Sequence, residues 1–388
     1  EEETKQFTPF IFNILQTTLE CLTTNQEDLL KRQLEMLIEL VSVEPVLFRK
    51  HFNDLYILAG KIVEKKDYDE EKIREQGFEV LISLIEEKPA WIEKDDAKMQ
   101  QLFEVIYKYA LEFDTEPDPK WAIPEGNNFD DVESFPEEKL TQGQGLIDRL
   151  IECIGLGKTT SILSKLIQGL LGSEDWKYKY VGIYSLTCLT EYEEDMSSVE
   201  MTFPLIFSFT QSQNEKLRYA AVHFINKLSD NYNPQFQKKN IENVIPLLME
   251  LVTKETILRI QCEIVEAITS FIQFTTSEKI MPYAMKIYDL LFTMFTKDIP
   301  TILTKSILDC VLELSTTIEE QCQPIAAKAF ELVLTFFSKN FEQKANRSLY
   351  GVLIECLTTI GPYTKETYYT IVPKILNCII ELVSGDDK

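Results

Sequence analysis

Apolar residues recur along this chain at the three-to-four spacing of an amphipathic helix, and the pattern itself repeats. Five stretches superimpose: Trp176 to Glu191 (WKYKYVGIYSLTCLTE), Glu215 to Asp230 (EKLRYAAVHFINKLSD), Thr256 to Phe271 (TILRIQCEIVEAITSF), Ile302 to Thr317 (ILTKSILDCVLELSTT) and Lys344 to Thr359 (KANRSLYGVLIECLTT). Each has a basic residue near its start and continues with apolar positions at helical spacing. The anchors Lys179, Arg218, Arg259, Lys305 and Arg347 are 39, 41, 46 and 42 residues apart, and an earlier pair, Arg32 and Arg74, is 42 apart.

Between these lie other amphipathic stretches opened by proline: Pro9 to Leu22, Pro45 to Val63, Pro246 to Val252, Pro324 to Phe337 and Pro373 to Val383. Proline in a first helical turn sacrifices no hydrogen bond and presets φ. The predicted unit is helix, turn, helix with a period of about 40, which is the HEAT or armadillo range. One such pair cannot bury its apolar stripe alone, so pairs stack on their neighbours. The expectation is an all-α HEAT-repeat α-solenoid over residues 1–388, about eight pairs with a ninth first helix, wound into a right-handed superhelix. In HEAT arrays generally, the helix that opens with the basic residue is the second of its pair and lines the concave wall.

One segment breaks the pattern. From Glu112 to Glu138 the sequence is EFDTEPDPKWAIPEGNNFDDVESFPEE, with ten acids, one lysine and four prolines. It cannot be helical throughout and is expected as an acidic loop between the two helices of one repeat, with Asp114, Glu116, Asp118, Trp121, Asp130 and Asp131 as its candidate functional residues.

Composition narrows the partners. The formal net charge is −24, from 63 acidic and 39 basic side chains. Such a chain repels phosphates and anionic membranes and attracts basic proteins; no nucleic acid or membrane partner is expected. The eight cysteines form no CxxC pair and sit mostly on apolar faces, which predicts reduced, buried thiols. With only two histidines, His51 and His223, no metal site is expected. No apolar run is long enough to span a bilayer. The first residues, Glu-Glu-Glu-Thr, carry no initiator methionine, and the chain is expected to be a piece of a longer protein.

Catalytic chemistry was sought and not found. Gly155-Leu156-Gly157-Lys158-Thr159-Thr160 resembles the end of a phosphate-binding loop, but position 152, where the motif needs glycine, is Glu152, and LIDRLIECIGL before it reads as helix and not strand. Gly155 and Gly157 are expected to end one helix and Thr159 or Thr160 to start the next. His223 falls inside a repeat helix and His51 at a helix start, neither beside a nucleophile. Acid pairs such as Glu193-Glu194 fall at exposed helix ends. No enzyme activity and no cofactor are expected.

An ordered set of segments carries a family resemblance. LEMLIELVSVEPVLFRKHF, the acidic segment with Pro119-Lys120-Trp121, LIDRLIECIGLGK, GSEDWKYKYVGIYSL, LRYAAVHFINKLSDNYNPQFQKK and ENVIPLL resemble, in order and spacing, the importin beta-3 branch of the importin-β (karyopherin-β) superfamily. The resemblance runs to about residue 290 and is loose beyond it. It implies a nuclear import receptor that binds basic, lysine-rich import signals of cargo proteins and passes pores lined with phenylalanine-glycine nucleoporins. It further implies release of cargo to RanGTP and shuttling between cytoplasm and nucleus, with the main Ran contact in repeats preceding residue 1. The branch grips a cargo lysine with polar residues on successive inner helices. Its first two positions fall on Asp148 and Glu191; the next two, an Asp and an Asn in the family, fall on Asn231 and Ser270, with Asp230 adjoining as a substitute.

The spacing agrees with a ladder: Asp148, Glu191, Asn231 and Ser270 are 43, 40 and 39 residues apart, one per repeat. Neighbouring helices pack roughly 8–10 Å apart and an extended peptide rises about 3.3–3.6 Å per residue, so roughly every third ligand residue meets a rung. Grooves between first helices, carrying Phe10, Phe12, Phe48, Phe52, Tyr56, Phe103 and Tyr107, are candidate sites for nucleoporin phenylalanines, although most of these aromatics are expected in the core. The competing reading is a HEAT scaffold of another kind, such as a phosphatase scaffold subunit or a chromosome-associated protein.

Overall fold

The computed structural model describes residues 2–113, 119–122, 138–295, 299–342 and 347–384. Every regular element among them is helical. The chain divides into two compact units, residues 1–116 with 134–193 and residues 117–133 with 194–388.

The first unit holds α1 (Glu2–Thr23), α2 (Glu27–Val43), α3 (Phe52–Glu64), α4 (Lys72–Glu87) and α5 (Asp96–Ala110). The four-residue α6 (Pro119–Ala122) falls in the second unit, and the first resumes with α7 (Glu138–Ile154), α8 (Leu156–Leu171) and α9 (Trp176–Tyr192). Helices pair as α1 with α2, α3 with α4, α5 with α7 and α8 with α9. The second members then pack in a row, α2 on α4, α4 on α7 and α7 on α9, while α1, α3, α5 and α8 make a parallel row of first helices. The second unit holds α10 (Ser197–Glu200), α11 (Phe203–Phe209), α12 (Glu215–Asn231), α13 (Gln235–Lys254) and α14 (Leu258–Gln273), followed by α15 (Ser277–Met294), α16 (Thr301–Ile318), α17 (Gln323–Glu342), α18 (Tyr350–Ile360) and α19 (Glu366–Ser384). Its second-helix row runs α12, α14, α16, α18, with α11, α13, α15 and α17 as their partners. Each unit is therefore a two-layer stack of helical hairpins, the HEAT architecture.

The rows explain the sequence pattern. A second helix touches its own partner and a second helix on either side, so its apolar stripe widens until it is nearly buried all round. In α9 every residue from Tyr180 to Thr190 is buried. In α4, Ile82, Leu84 and Ile85 have no exposed surface. Burying each such side chain contributes about 1.5–3 kcal/mol. Backbones also approach closely: a Cβ on Gly77 of α4 would lie 2.9 Å from the Ile62 Cγ2 of α3. Side-chain caps start several helices, Asp95 accepting from the Lys98 amide, Asp175 from Lys177 and Asn214 from Leu217.

The basic anchors have a physical role. Arg74 is 2% exposed, and its Nε donates to the Val63 carbonyl (2.7 Å) while Nη1 reaches Glu112 (2.7 Å). Arg218 reaches Glu255 in the same manner (2.8 Å). In both cases the anchor of one second helix bonds a carboxylate just past the next first helix, which ties repeat to repeat. Burial acts to raise the Glu112 carboxyl, but hydrogen bonds from Arg74 and Lys66 outweigh it and bring it down to about 2.

Some boundaries differ from expectation. Pro324 does sit in the first turn of α17, but Pro9, Pro246 and Pro373 lie inside α1, α13 and α19. An interior proline costs about 3 kcal/mol; in α13 the earlier turns it interrupts bury Phe236 and Ile241, which offsets much of that. The stretch from Pro45 to Val63 is not one helix but a 3-10 turn, Pro45–Phe48, and then α3. Gly155 alone links α7 to α8, at φ 97, where a side chain would be strained. Gly157, Thr159 and Thr160 lie within α8, and the two threonine hydroxyls bond carbonyls of the preceding turn, those of Gly155 and Leu156.

Candidate functional site

In the first unit, Asp148 projects from α7 and Glu191 from the end of α9, two helices in direct contact. Leu150 and Ile151 of the same helix are buried, which turns Asp148 and its i+4 neighbour Glu152 toward the open side of the second-helix row. Asp148 is part-buried, while Glu152 and Glu191 are exposed. The Asp148 Oδ1 atom is buried without a hydrogen-bond partner. Burial, and then the negative charges of Glu191 and Glu152, push the Asp148 carboxyl up to about 6, against hydrogen bonds from the Tyr192 hydroxyl and the Cys188 thiol. The structure thus brings Asp148 and Glu191 into one corner with unbalanced negative charge. Glu152, Tyr192 and Cys188 complete the corner and were not anticipated, although the i+4 relation of Glu152 to Asp148 was readable in the sequence.

Beside it, Arg149 is held in a double fork. Its guanidinium bonds both oxygens of Glu79 (2.7 and 3.0 Å) and both of Glu86 (2.6 and 2.7 Å) on α4. These bonds hold Arg149 well above its usual value and Glu79 below its own. The fork occupies the one cation adjoining Asp148 along α7 and keeps it from neutralising the corner.

In the second unit, the corresponding positions lie on α12 and α14. Asp230 bonds Ser270. Burial raises the Asp230 carboxyl, while Lys227, the Ser270 bond and His223 oppose the rise. Asn231 is exposed at the last position of α12. Eight residues back toward the helix start, the His223 Nδ1 atom lies 3.0 Å from Glu263 Oε1, which also accepts from the Asn226 amide (3.1 Å). One repeat further on, the Ser306 hydroxyl donates to Glu266 (3.1 Å).

Of the acidic segment, Asp114, Glu116, Asp118, Asp130 and Asp131 lie outside the described residues. Trp121 is within them and is 4% exposed. It packs on the second-helix row of the second unit, edge-on to Tyr219 at 5.7 Å, and its carbonyl accepts from Arg259 Nε at 2.6 Å.

Among the first-helix aromatics, Phe48, Phe52, Tyr56, Phe103 and Tyr107 are core, whereas Phe10 and Phe12 are 62% and 47% exposed. A cavity of about 380 Å³ opens between α3, α4 and α5, lined in part by Tyr56, Ile57, Gly60, Lys98 and Val105. All eight cysteines are free, six of them buried. Among the described residues no group of three or more His, Cys, Asp or Glu is placed to hold a metal ion, and no helix is long and apolar enough to cross a membrane.

No family model matches the chain. Among curated proteins it is 22% identical over 268 residues to importin subunit beta-3 of Saccharomyces cerevisiae (strain ATCC 204508 / S288c), a match covering 68% of this chain and 24% of that protein. The sequence similarity is thus to an importin of the β type. Solved karyopherins share its fold. Kap121p bound to the extreme C-terminus of the protein phosphatase Cdc14p superimposes with a TM-score of 0.85 at 18% identity, covering 99% of this chain and 37% of that one. Kap121p bound to Nup53p does so with a TM-score of 0.83 at 18% identity, covering 98% and 36%. The chain spans about a quarter of the curated relative and little more than a third of the solved ones.

Proposed function

We propose that this chain is part of a nuclear transport receptor and that its second-helix rows bind lysine-rich import signals of cargo proteins. The observation that carries the reading is the α7–α9 corner, where Asp148 has a buried oxygen without a hydrogen-bond partner and faces two further carboxylates. A lysine ammonium entering that corner supplies three donors and cancels the repulsion. Each charge-assisted hydrogen bond it makes contributes about 1.5–3 kcal/mol. Asp230, Asn231 and Ser270 offer a second, weaker set of rungs for a basic residue.

The relatives support the same reading: Kap121p has been solved bound to Pho4p, to Nup53p and to RanGTP. By this reading the chain carries cargo between cytoplasm and nucleus and turns over no substrate. Phenylalanine-glycine nucleoporins dock on the first-helix row, at the α3–α5 cavity and beside Phe12, and RanGTP releases the cargo mainly through repeats beyond this chain.

The experiment is calorimetry with a lysine-rich import-signal peptide against the unaltered chain and the double variant Asp148→Ala, Glu191→Ala. The double variant keeps its helicity and binds roughly a hundredfold more weakly, as the loss of one to two charge-assisted bonds requires. Equal affinity for both proteins would refute the reading.

A further inference from the structure

The contacts that Trp121 makes with Arg259 and Tyr219 are those of a ligand in its site. Long-range side-chain hydrogen bonds among the described residues, such as those of Arg149 with Glu79 and of Lys177 with Phe113, join neighbouring repeats, 70 and 64 positions apart. The bond from Arg259 Nε to the Trp121 carbonyl joins residues 138 positions apart. Four residues of helix, from a segment rich in proline and acid, dock on α14. The receiving surface is built for an aromatic residue. The Tyr219 ring meets Trp121 edge-on at an interplanar angle of 81°. The Arg259 guanidinium lies over the indole, 5.3 Å from its centre, and is itself 2% exposed. Behind Tyr219, His223 stacks on it at 6.0 Å and is fixed in turn by Glu263. An edge-to-face ring, a cation over the π face and a donor to the backbone carbonyl are three separate recognition elements, in the combination used to hold a tryptophan in a peptide.

We propose that the groove between the starts of α12 and α14 is a recognition site for a tryptophan-bearing peptide segment, and that the chain fills it in cis with Trp121. The ligand class is an aromatic residue whose own carbonyl is free to accept from Arg259. The site is distinct from the polar rungs: Tyr219 precedes Asp230 by eleven residues, about 16 Å along α12. A tethered occupant acts at an effective concentration in the millimolar range, so a micromolar competitor in trans does not displace it, and the site is silent until Trp121 leaves.

The test uses the whole 388-residue chain and a fluorescently labelled peptide of residues 117–124, PDPKWAIP. The expected result is that Trp121→Ala binds this peptide at least about tenfold more tightly than the unaltered chain does, because the cis occupant is gone. The same peptide with alanine in place of tryptophan does not bind, and adding Tyr219→Ala to the variant weakens binding. A purely structural staple would give none of these, since it has no exchangeable form. Absence of peptide binding to a Trp121→Ala chain with native circular dichroism overturns the proposal, as does equal affinity for the variant and the unaltered chain. Should Trp121→Ala not fold, Trp121→Leu, which keeps bulk but loses both ring interactions, takes its place under the same criteria. Neither outcome depends on whether lysine peptides bind the α7–α9 corner.

Discussion

The α7–α9 corner of the first unit and the α12–α14 corner of the second descend from the same repeat, yet they treat negative charge differently. At α7–α9 the carboxylates of Asp148, Glu152 and Glu191 face one another, and the nearby cation, Arg149, is committed to Glu79 and Glu86. At α12–α14 the carboxylate of Asp230 is also raised by burial, with a smaller push from Glu263, but Lys227, His223 and the bond to Ser270 all oppose the rise. One corner stores an uncompensated charge and the other spends it internally. Charge on a face therefore matters less than where the cations beside it are already engaged.

The largest expected effect is the roughly hundredfold loss of lysine-peptide affinity in Asp148→Ala, Glu191→Ala. If the comparison holds, Asp230→Ala costs only a fewfold, read in the same calorimeter; equal losses at the two corners would erase the distinction.

Binding should next depend on pH through Asp148. Its carboxyl titrates near 6 in the free chain, and a bound ammonium favours the ionised form. Affinity is full above that value and falls by up to about tenfold per pH unit below it, towards the ordinary carboxyl range. The double variant should lose this dependence, which a pH series measures directly.

A smaller effect concerns stability. A carboxyl whose folded value, about 6, exceeds the ordinary 3.8 holds its proton more tightly in the folded chain. Its penalty is absent below about 3.8 and grows as pH rises through 6, so the ionised group destabilises the fold at neutral pH. Asp148→Asn should then stabilise the chain at pH 7 by about 1 kcal/mol, allowing for partial solvation, and raise the melting temperature by about 2–4 °C. At pH 4 the gain should vanish. A stability change of similar size and opposite sign is expected in Arg149→Ala, roughly 1 kcal/mol because its partners are partly exposed, and the smallest effect of all is its change in peptide affinity. A large affinity loss there would mean that the fork orients Asp148, and not merely that it absorbs the cation.

Much of this was legible in the sequence, and for a physical reason. The 3.6-residue period and the basic anchors recur because every repeat solves the same packing problem, so α9, α12, α14 and α16 could be placed to within two residues. Asp148 and Glu191 were named by the family resemblance, and their spacing agrees with the same period. Prolines misled the reading of α13 and α19, because their conformational preference is local; in α13 the helix is extended by burial of Phe236 and its neighbours. Glu152 was within reach of periodicity, but the partnership of Arg149 with α4 was not, since it joins residues 63 and 70 apart in sequence.

By itself, then, the sequence determined the helical class, the repeat, the acidic surface and the residues that fall one per repeat, all of which follow from short-range periodicity and composition. Only the tertiary structure decided which carboxylates keep an uncompensated charge, that Asp230 bonds Ser270, and that Trp121 lies against Tyr219 and Arg259. Those outcomes depend on partners far apart along the chain, and no local pattern encodes which cation or ring will arrive there.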